Sequence, residues 1–113
     1  MKEKLVIKHG SRKVSLEVKK CSFIQKGIGL MFSRRESAET LLFEFNNSGK
    51  MGIHSYFVFF DFLAVWLDSK NKVVQIDHVK PWVAYLCPKK KYSKLVEIPI
   101  NQKNLGLIKK ILK

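Results

Sequence analysis

Val14, Leu16 and Val18 alternate with Lys13, Ser15, Glu17 and Lys19, a period of two that places one set on each face of a strand. Leu5-Val6-Ile7 precedes them as a short apolar run, and His9-Gly10-Ser11-Arg12 between the two supplies a turn. Residues 1–20 therefore predict a β-hairpin with its apolar set turned inward. From Cys21 to Gly27 the period lengthens, Ser22 can cap and Gly27 can end a helix, so one or two helical turns are expected. Ser33 to Glu39 is polar without periodicity and predicts an exposed loop.

Leu41-Leu42-Phe43-Glu44-Phe45 predicts a strand, and Asn46-Asn47-Ser48-Gly49-Lys50 a reversal, because Asn and Gly tolerate left-handed backbone. The run from Tyr56 to Phe60 and on through Leu63-Ala64-Val65-Trp66-Leu67 is almost continuously apolar, the signature of a strand covered on both faces. Asp68-Ser69-Lys70-Asn71-Lys72 then turns the chain into Val73 to Val79, a second hairpin. Lys80-Pro81-Trp82 ends that strand, since proline donates no ladder hydrogen bond. A crossing loop through Pro88 and Lys89-Lys90-Lys91 leads to a strand at Leu95 to Pro99. Asn101 to Leu105 predicts a helical turn stopped at Gly106, and Leu107 to Leu112 fits either a strand or a helix. Six to seven short strands with one or two short helices predict a mainly β fold, a small barrel or sandwich, and residues 1–113 are expected to form a single domain.

Charge changes this picture most. Lys and Arg number 22 against 9 Asp and Glu, a formal net charge of +13. Residues 1–20 hold seven basic and two acidic groups and residues 81–113 eight and one, whereas 21–50 holds four and three and 51–80 three of each. The two ends of the chain thus make any anion-attracting surface. The first apolar run stops after three residues, too short for a signal-peptide core, and the twelve residues from Tyr56 to Leu67 are interrupted by Asp61 and fall short of a membrane span. Cys21 and Cys87 form no C-x-x-C pair. These features predict a cytoplasmic protein with reduced thiols, no membrane segment and no metal.

Lys80, Trp82, Tyr85, Lys89, Lys90, Lys91 and Lys94 interleave cations with aromatic rings, the chemistry that binds single-stranded nucleic acid through phosphate contacts and base stacking. Lys8 and Lys13 extend the same expectation to the first hairpin. The plainer reading sets Trp82 and Tyr85 in the core beneath a solvated lysine loop. Gly29, Met31, His54 and Asp61 are the candidates for a small-molecule cleft, with turn and core-filling roles as the plainer account. His54, His78, Asp77 and Cys87 are the remaining metal or nucleophile candidates, but their spacing places no base beside the thiol. Lys26-Gly27-Ile28-Gly29 lacks the glycines of a phosphate-binding loop. No catalytic residues and no cofactor are assigned. An anion-binding or accessory module is the leading expectation, with a ligand cleft or a protein-interaction domain as alternatives.

Gly29-Leu30-Met31-Phe32, the strand ending in Phe45, His54 before an aromatic run, Val65-Trp66-Leu67-Asp68 with Val73-Val74, Lys80-Pro81-Trp82 and Glu97-Ile98-Pro99 occur in this order. In that order the chain resembles the domain of unknown function 192 family in its archaeal form, over residues 14 to 112. The resemblance implies a mostly β domain with short helices and brings no activity, cofactor or partner. Members of that family usually carry Pro-Ile-Asp or Pro-Leu-Asp before the central strand. Here Asp61-Phe62-Leu63 stands there, so the acidic position falls on Leu63 and Asp61 keeps only its strand face.

Overall fold

The computed structural model describes residues 2–21, 34–49, 58–83, 86–88 and 90–112, with the backbone alone at 46–49. The alternating run at the start forms β1 (Lys2–His9) and β2 (Arg12–Lys20), joined through Gly10 at φ +65°. They are followed by β3 (Leu41–Gly49), β4 (Phe62–Leu67), β5 (Val73–Val79) and β6 (Tyr92–Pro99), then a 3-10 turn at Gln102–Asn104 and helix α1 (Leu105–Leu112). The six strands form one sheet in the order β1-β2-β3-β6-β4-β5. It is antiparallel throughout except where β2 meets β3 at Lys19–Leu41 and Lys20–Leu42. The sheet curls into a half-barrel, and its two edges touch where the Lys8 amide donates to the Asn71 carbonyl at 2.8 Å.

Every residue of β4 is buried, because both faces of the strand are covered. Leu63, Val65 and Leu67 point into the curl with Val96 and Ile98 of β6, Leu42 of β3 and the inward set of the first hairpin, Leu5, Ile7, Val14, Leu16 and Val18. Ile108 and Ile111 of α1 close this inner core. Phe62, Ala64 and Trp66 point outward into a second cluster with Leu41, Phe43, Val58, Phe60, Val79, Tyr92 and Leu95. Trp66 is fully buried there, edge-on to Tyr92 with centroids 4.6 Å apart. Its indole N–H donates to Asp77 Oδ2 at 3.0 Å.

Four expectations are corrected. β3 continues to Gly49 through the residues expected to reverse the chain, and the irregularity appears instead as a register shift between Glu44 and Gly49 against β6. Residues that tolerate unusual backbone serve a bulge as well as a turn. In the described part of the long aromatic run, residues 58–61 are not strand and β4 starts at Phe62, since the chain bends at Phe60 and the Asp61 carbonyl accepts from the Ile100 amide at 3.0 Å; Tyr56 and Phe57 lie outside the described residues. β6 begins earlier than expected, at Tyr92. Gly106 does not stop the last helix. Asn101 caps the preceding 3-10 turn by accepting from the Asn104 amide, and α1 runs on through Gly106 because burial of Ile108 and Ile111 outweighs the glycine cost of about 1 kcal/mol. The helical turns expected from Cys21 to Gly27 lie, after Cys21, outside the described residues.

A carboxyl group sits among these apolar contacts. Glu97 of β6 is 6% exposed, lies between Leu41 and Ala64 in register, and burial alone pushes its carboxyl up to about 8.

Two measurements check this account. Ile7→Ala should cost about 2–5 kcal/mol in urea unfolding, whereas Val6→Ala, one position along but 41% exposed, should cost under about 0.5 kcal/mol; equal effects would place the hairpin in another register. Unfolded glutamate titrates near pH 4.3, so between that value and about 8 the folded state keeps a proton the unfolded chain has released. Stability is therefore full below the unfolded value and declines as pH rises toward 8, by up to about 1.4 kcal/mol per pH unit. Glu97→Gln should flatten that decline between pH 5 and 8, and an unchanged slope would contradict the assignment.

Candidate functional site

The turn between β4 and β5 is built by its own side chains. Asp68 Oδ1 accepts from the amides of Lys70 at 2.8 Å and Lys72 at 2.9 Å, and the Asp68 amide donates to the Lys72 carbonyl at 2.9 Å. These backbone donors hold the Asp68 carboxyl below its usual range, the Lys72 amide contributing most. Asn71 takes the left-handed conformation at φ 66°, which asparagine tolerates better than most residues. The result projects Lys70 and Lys72 into solvent on a rigid turn.

Asn71 joins distant parts of the chain. Its carbonyl accepts from the Lys8 amide, and its Oδ1 accepts from Lys94 Nζ at 2.7 Å. Lys8 stands directly opposite Lys13 across the first hairpin, both exposed. Lys90 and Lys91 are exposed immediately before β6. Lys8, Lys13, Lys70, Lys72, Lys90 and Lys91 thus gather around one turn, and among the described residues none of them forms an ion pair. Lys94 differs from them. Glu44 takes Lys20 Nζ at 2.7 Å and Lys94 Nζ at 3.8 Å, and Lys20 is the main reason its carboxyl lies below the usual range. Lys94 is an internal tie rather than a free cation.

The remaining cations and rings lie elsewhere. Val79 pairs with Phe62 while Lys94 pairs with Leu67, so Lys80 and Trp82 sit at the opposite end of β4, roughly 17 Å away at the rise of a strand. Trp82 is 50% exposed at φ 66° and meets Phe59 edge-on at 5.9 Å. A bulky side chain at positive φ is a strained arrangement. At the same end Asp61 Oδ2 contacts His78 Nε2 at 2.6 Å. Leu63, where the resemblance places the family's acid, is 2% exposed in the inner core. Tyr85, Lys89, Gly29, Met31 and His54 lie outside the described residues.

Other candidates separate in the same way. Asp77 shares the outer sheet face with its partner Ala64, and His78 shares the opposite face with Leu63, so the strand itself keeps these two apart. Cys21 is buried and Cys87 half-buried, and the two form no disulfide with each other. Among the described residues no three His, Cys, Asp or Glu side chains come together to hold a metal. A cavity of about 210 Å³ lined by Lys2, Lys19, Lys103, Glu17 and Glu39 balances cations against carboxylates and favours neither charge sign strongly. No helix among the described residues is long and apolar enough to cross a membrane.

Sequence reasoning identified Lys8, Lys13, Lys90 and Lys91, but it read Lys70 and Lys72 only as turn residues, assigned the basic surface to the two chain ends alone, and missed Asn71 as the organiser and Glu97 as a buried acid. An acid inside Leu95-Val96-Glu97-Ile98 was the available signal.

Comparison with known proteins agrees with this architecture. The model of DUF192, described as an uncharacterized ACR, matches residues 5–108. A UPF0127 protein of Pyrococcus horikoshii is 31% identical over 78 residues, covering 69% of this chain and 67% of that protein. Another from Pyrococcus abyssi is 28% identical over 92 residues, covering 81% and 73%. Among solved structures, a putative transcription regulator from Sinorhizobium meliloti superposes with a TM-score of 0.77 at 18% identity, covering 96% of this chain and 87% of that one. A protein of unknown function from Novosphingobium aromaticivorans gives 0.71 at 14% identity, covering 92% and 76%. At those identities the structures share the fold. With the family model spanning nearly the whole chain and archaeal relatives matching most of it, the protein belongs to the DUF192 family.

Proposed function

We propose that the protein is a non-catalytic module that binds a polyanion, the phosphate backbone of nucleic acid, at the end of the half-barrel organised by Asn71. The observation that carries this reading is the concentration of Lys8, Lys13, Lys70, Lys72, Lys90 and Lys91 around one turn, where Asp68, whose carboxylate is engaged by the turn's own amides, is the one acid of the turn segment 68–72. Like charges placed directly opposite across a strand pair destabilise the sheet, and Lys8 against Lys13 is such a pair. A phosphate chain relieves that repulsion and releases its own counterions on binding.

The reading is also selective about mechanism. Lysine is a point charge without the forked geometry that reads base edges, so contacts at this surface follow phosphates and ignore sequence. Trp82, with Lys80 beside it, offers a stacking ring at the other end of β4. A single strand several nucleotides long reaches both, whereas a short oligonucleotide reaches only the lysines.

Fluorescence titration of labelled single-stranded RNA at several salt concentrations tests the proposal. The logarithm of affinity should fall linearly with that of salt, and the joint change of Lys70, Lys72, Lys90 and Lys91 to Gln should flatten the slope by about 0.7 per lost contact. Trp82→Ala should weaken a long strand while leaving its salt slope unchanged. A slope untouched by the lysine changes, or binding seen only far below physiological salt, would overturn the reading.

A further inference from the structure

β2 and β3 run parallel for only two residue pairs, Lys19 with Leu41 and Lys20 with Leu42. Their ladder begins at the bond from the Lys19 amide to the Thr40 carbonyl, 2.8 Å long. The chain ahead of β3 explains why it goes no further, since the Ala38 amide donates to the Arg34 carbonyl at 2.8 Å and that turn takes residues 34–38 out of the ladder. The same turn is tied to the segment after β6. Asn101 Nδ2 donates to the Arg35 carbonyl at 2.7 Å, and the Gln102 amide donates to Glu36 Oε1 at 3.0 Å. A notch is therefore built between the end of the first hairpin, the entry to β3 and the 3-10 turn.

This notch is the cavity of about 210 Å³. Val18, Thr40 and Asn104, all buried, line it. Asn104 is fixed there by its Nδ2, which donates to the Pro99 carbonyl at 2.8 Å and leaves Oδ1 as an acceptor. Five charged side chains complete the wall, Lys2, Lys19 and Lys103 with Glu17 and Glu39. Among the described residues none of the five forms an ion pair, so both signs of charge remain open to a ligand. Lys2 and Lys19 are also direct partners across β1 and β2, and like charges so placed repel.

We infer that the cavity binds a small acidic amino acid, its α-carboxylate between Lys2 and Lys19, its side-chain carboxylate toward Lys103 and its ammonium toward Glu17 and Glu39. Three cations against two carboxylates leave one positive charge in surplus. A ligand with two carboxylates and one ammonium offsets that surplus and answers each wall charge with its opposite. The volume equals that of about seven waters at about 30 Å³ each, room for most of a ligand of about ten non-hydrogen atoms. Lys2 lies six residues, or about 20 Å of strand, from Lys8, so the site is separate from the lysine surface at the Asn71 end.

Amide NMR of the isotope-labelled protein at physiological salt tests the inference with three probes: L-glutamate, glutarate, which lacks the ammonium, and L-glutamine, which lacks the second carboxylate. L-glutamate should give saturable shifts at Glu17 to Lys19, Glu39, Thr40, Lys103 and Asn104, with a dissociation constant below about 1 mM. Glutarate and L-glutamine should each bind at least about tenfold more weakly, the loss expected for one charge-assisted contact. Joint change of Glu17 and Glu39 to Gln should remove the preference for L-glutamate over glutarate. Lys103→Gln should instead narrow the gap between L-glutamate and L-glutamine. Both readouts are ratios within one variant, so a change in stability does not imitate them. Equal binding of the three probes, shifts centred on Lys70 and Lys72, or a response that does not saturate would each overturn the inference.

Discussion

The burial of β4 on both faces is the constraint from which the rest of the structure follows. A six-residue strand with no polar side chain must be covered twice, and the protein does so with unlike materials. Inside the curl it uses a second piece of the same sheet, the first hairpin, together with α1. Outside, it uses aromatic and aliphatic residues from β3, β5, β6 and the segment 58–60. β6 lies beside β4 and repeats the pattern, Val96 and Ile98 inward and Leu95 outward. Apolar burial at about 25 cal/mol per Å² is the dominant favourable term in such a fold, and these two strands are where both contributions meet.

That arrangement also decides where charge can go. A strand buried on both faces leaves the polar residues of the chain to its ends, its turns and the outer side of the hairpin. Lysines on β1 and β2, in the β4–β5 turn and before β6 are remote in sequence, yet closure of the curl at Asn71 draws them to one end. The opposite end receives Asp61, His78, Phe59, Lys80 and Trp82. Glu97 is the exception to this sorting. It lies on an apolar face of β6, where burial pushes its carboxyl up to about 8.

The hairpins were legible in the sequence because alternation at period two and turn residues act locally, and Lys13 to Lys19 and Asp68 to Lys72 state both plainly. The ends of the other elements were not. Asn46 to Gly49 carries turn chemistry that the ladder with β6 absorbs as a bulge, and Gly106 carries a stop signal that packing of Ile108 and Ile111 overrides. Tertiary contacts settle both, and local propensity is too weak to oppose them. Lys8, Lys13, Lys90 and Lys91 were visible one by one, but the part taken by Lys70 and Lys72 and the division of the remaining cations were not. Lys94 becomes a tie to Glu44 and Asn71, and Trp82 moves to the far end of β4, because strand register rather than distance along the chain determines neighbours.

Native-state hydrogen exchange, followed residue by residue under increasing urea, tests the central role of β4 most directly. The account predicts that the amides of Val65 in β4 and Val96 in β6 exchange only through global unfolding, while those of β1 and β2 open at lower free energy. Exchange of the β4 amides before those of the first hairpin would contradict it.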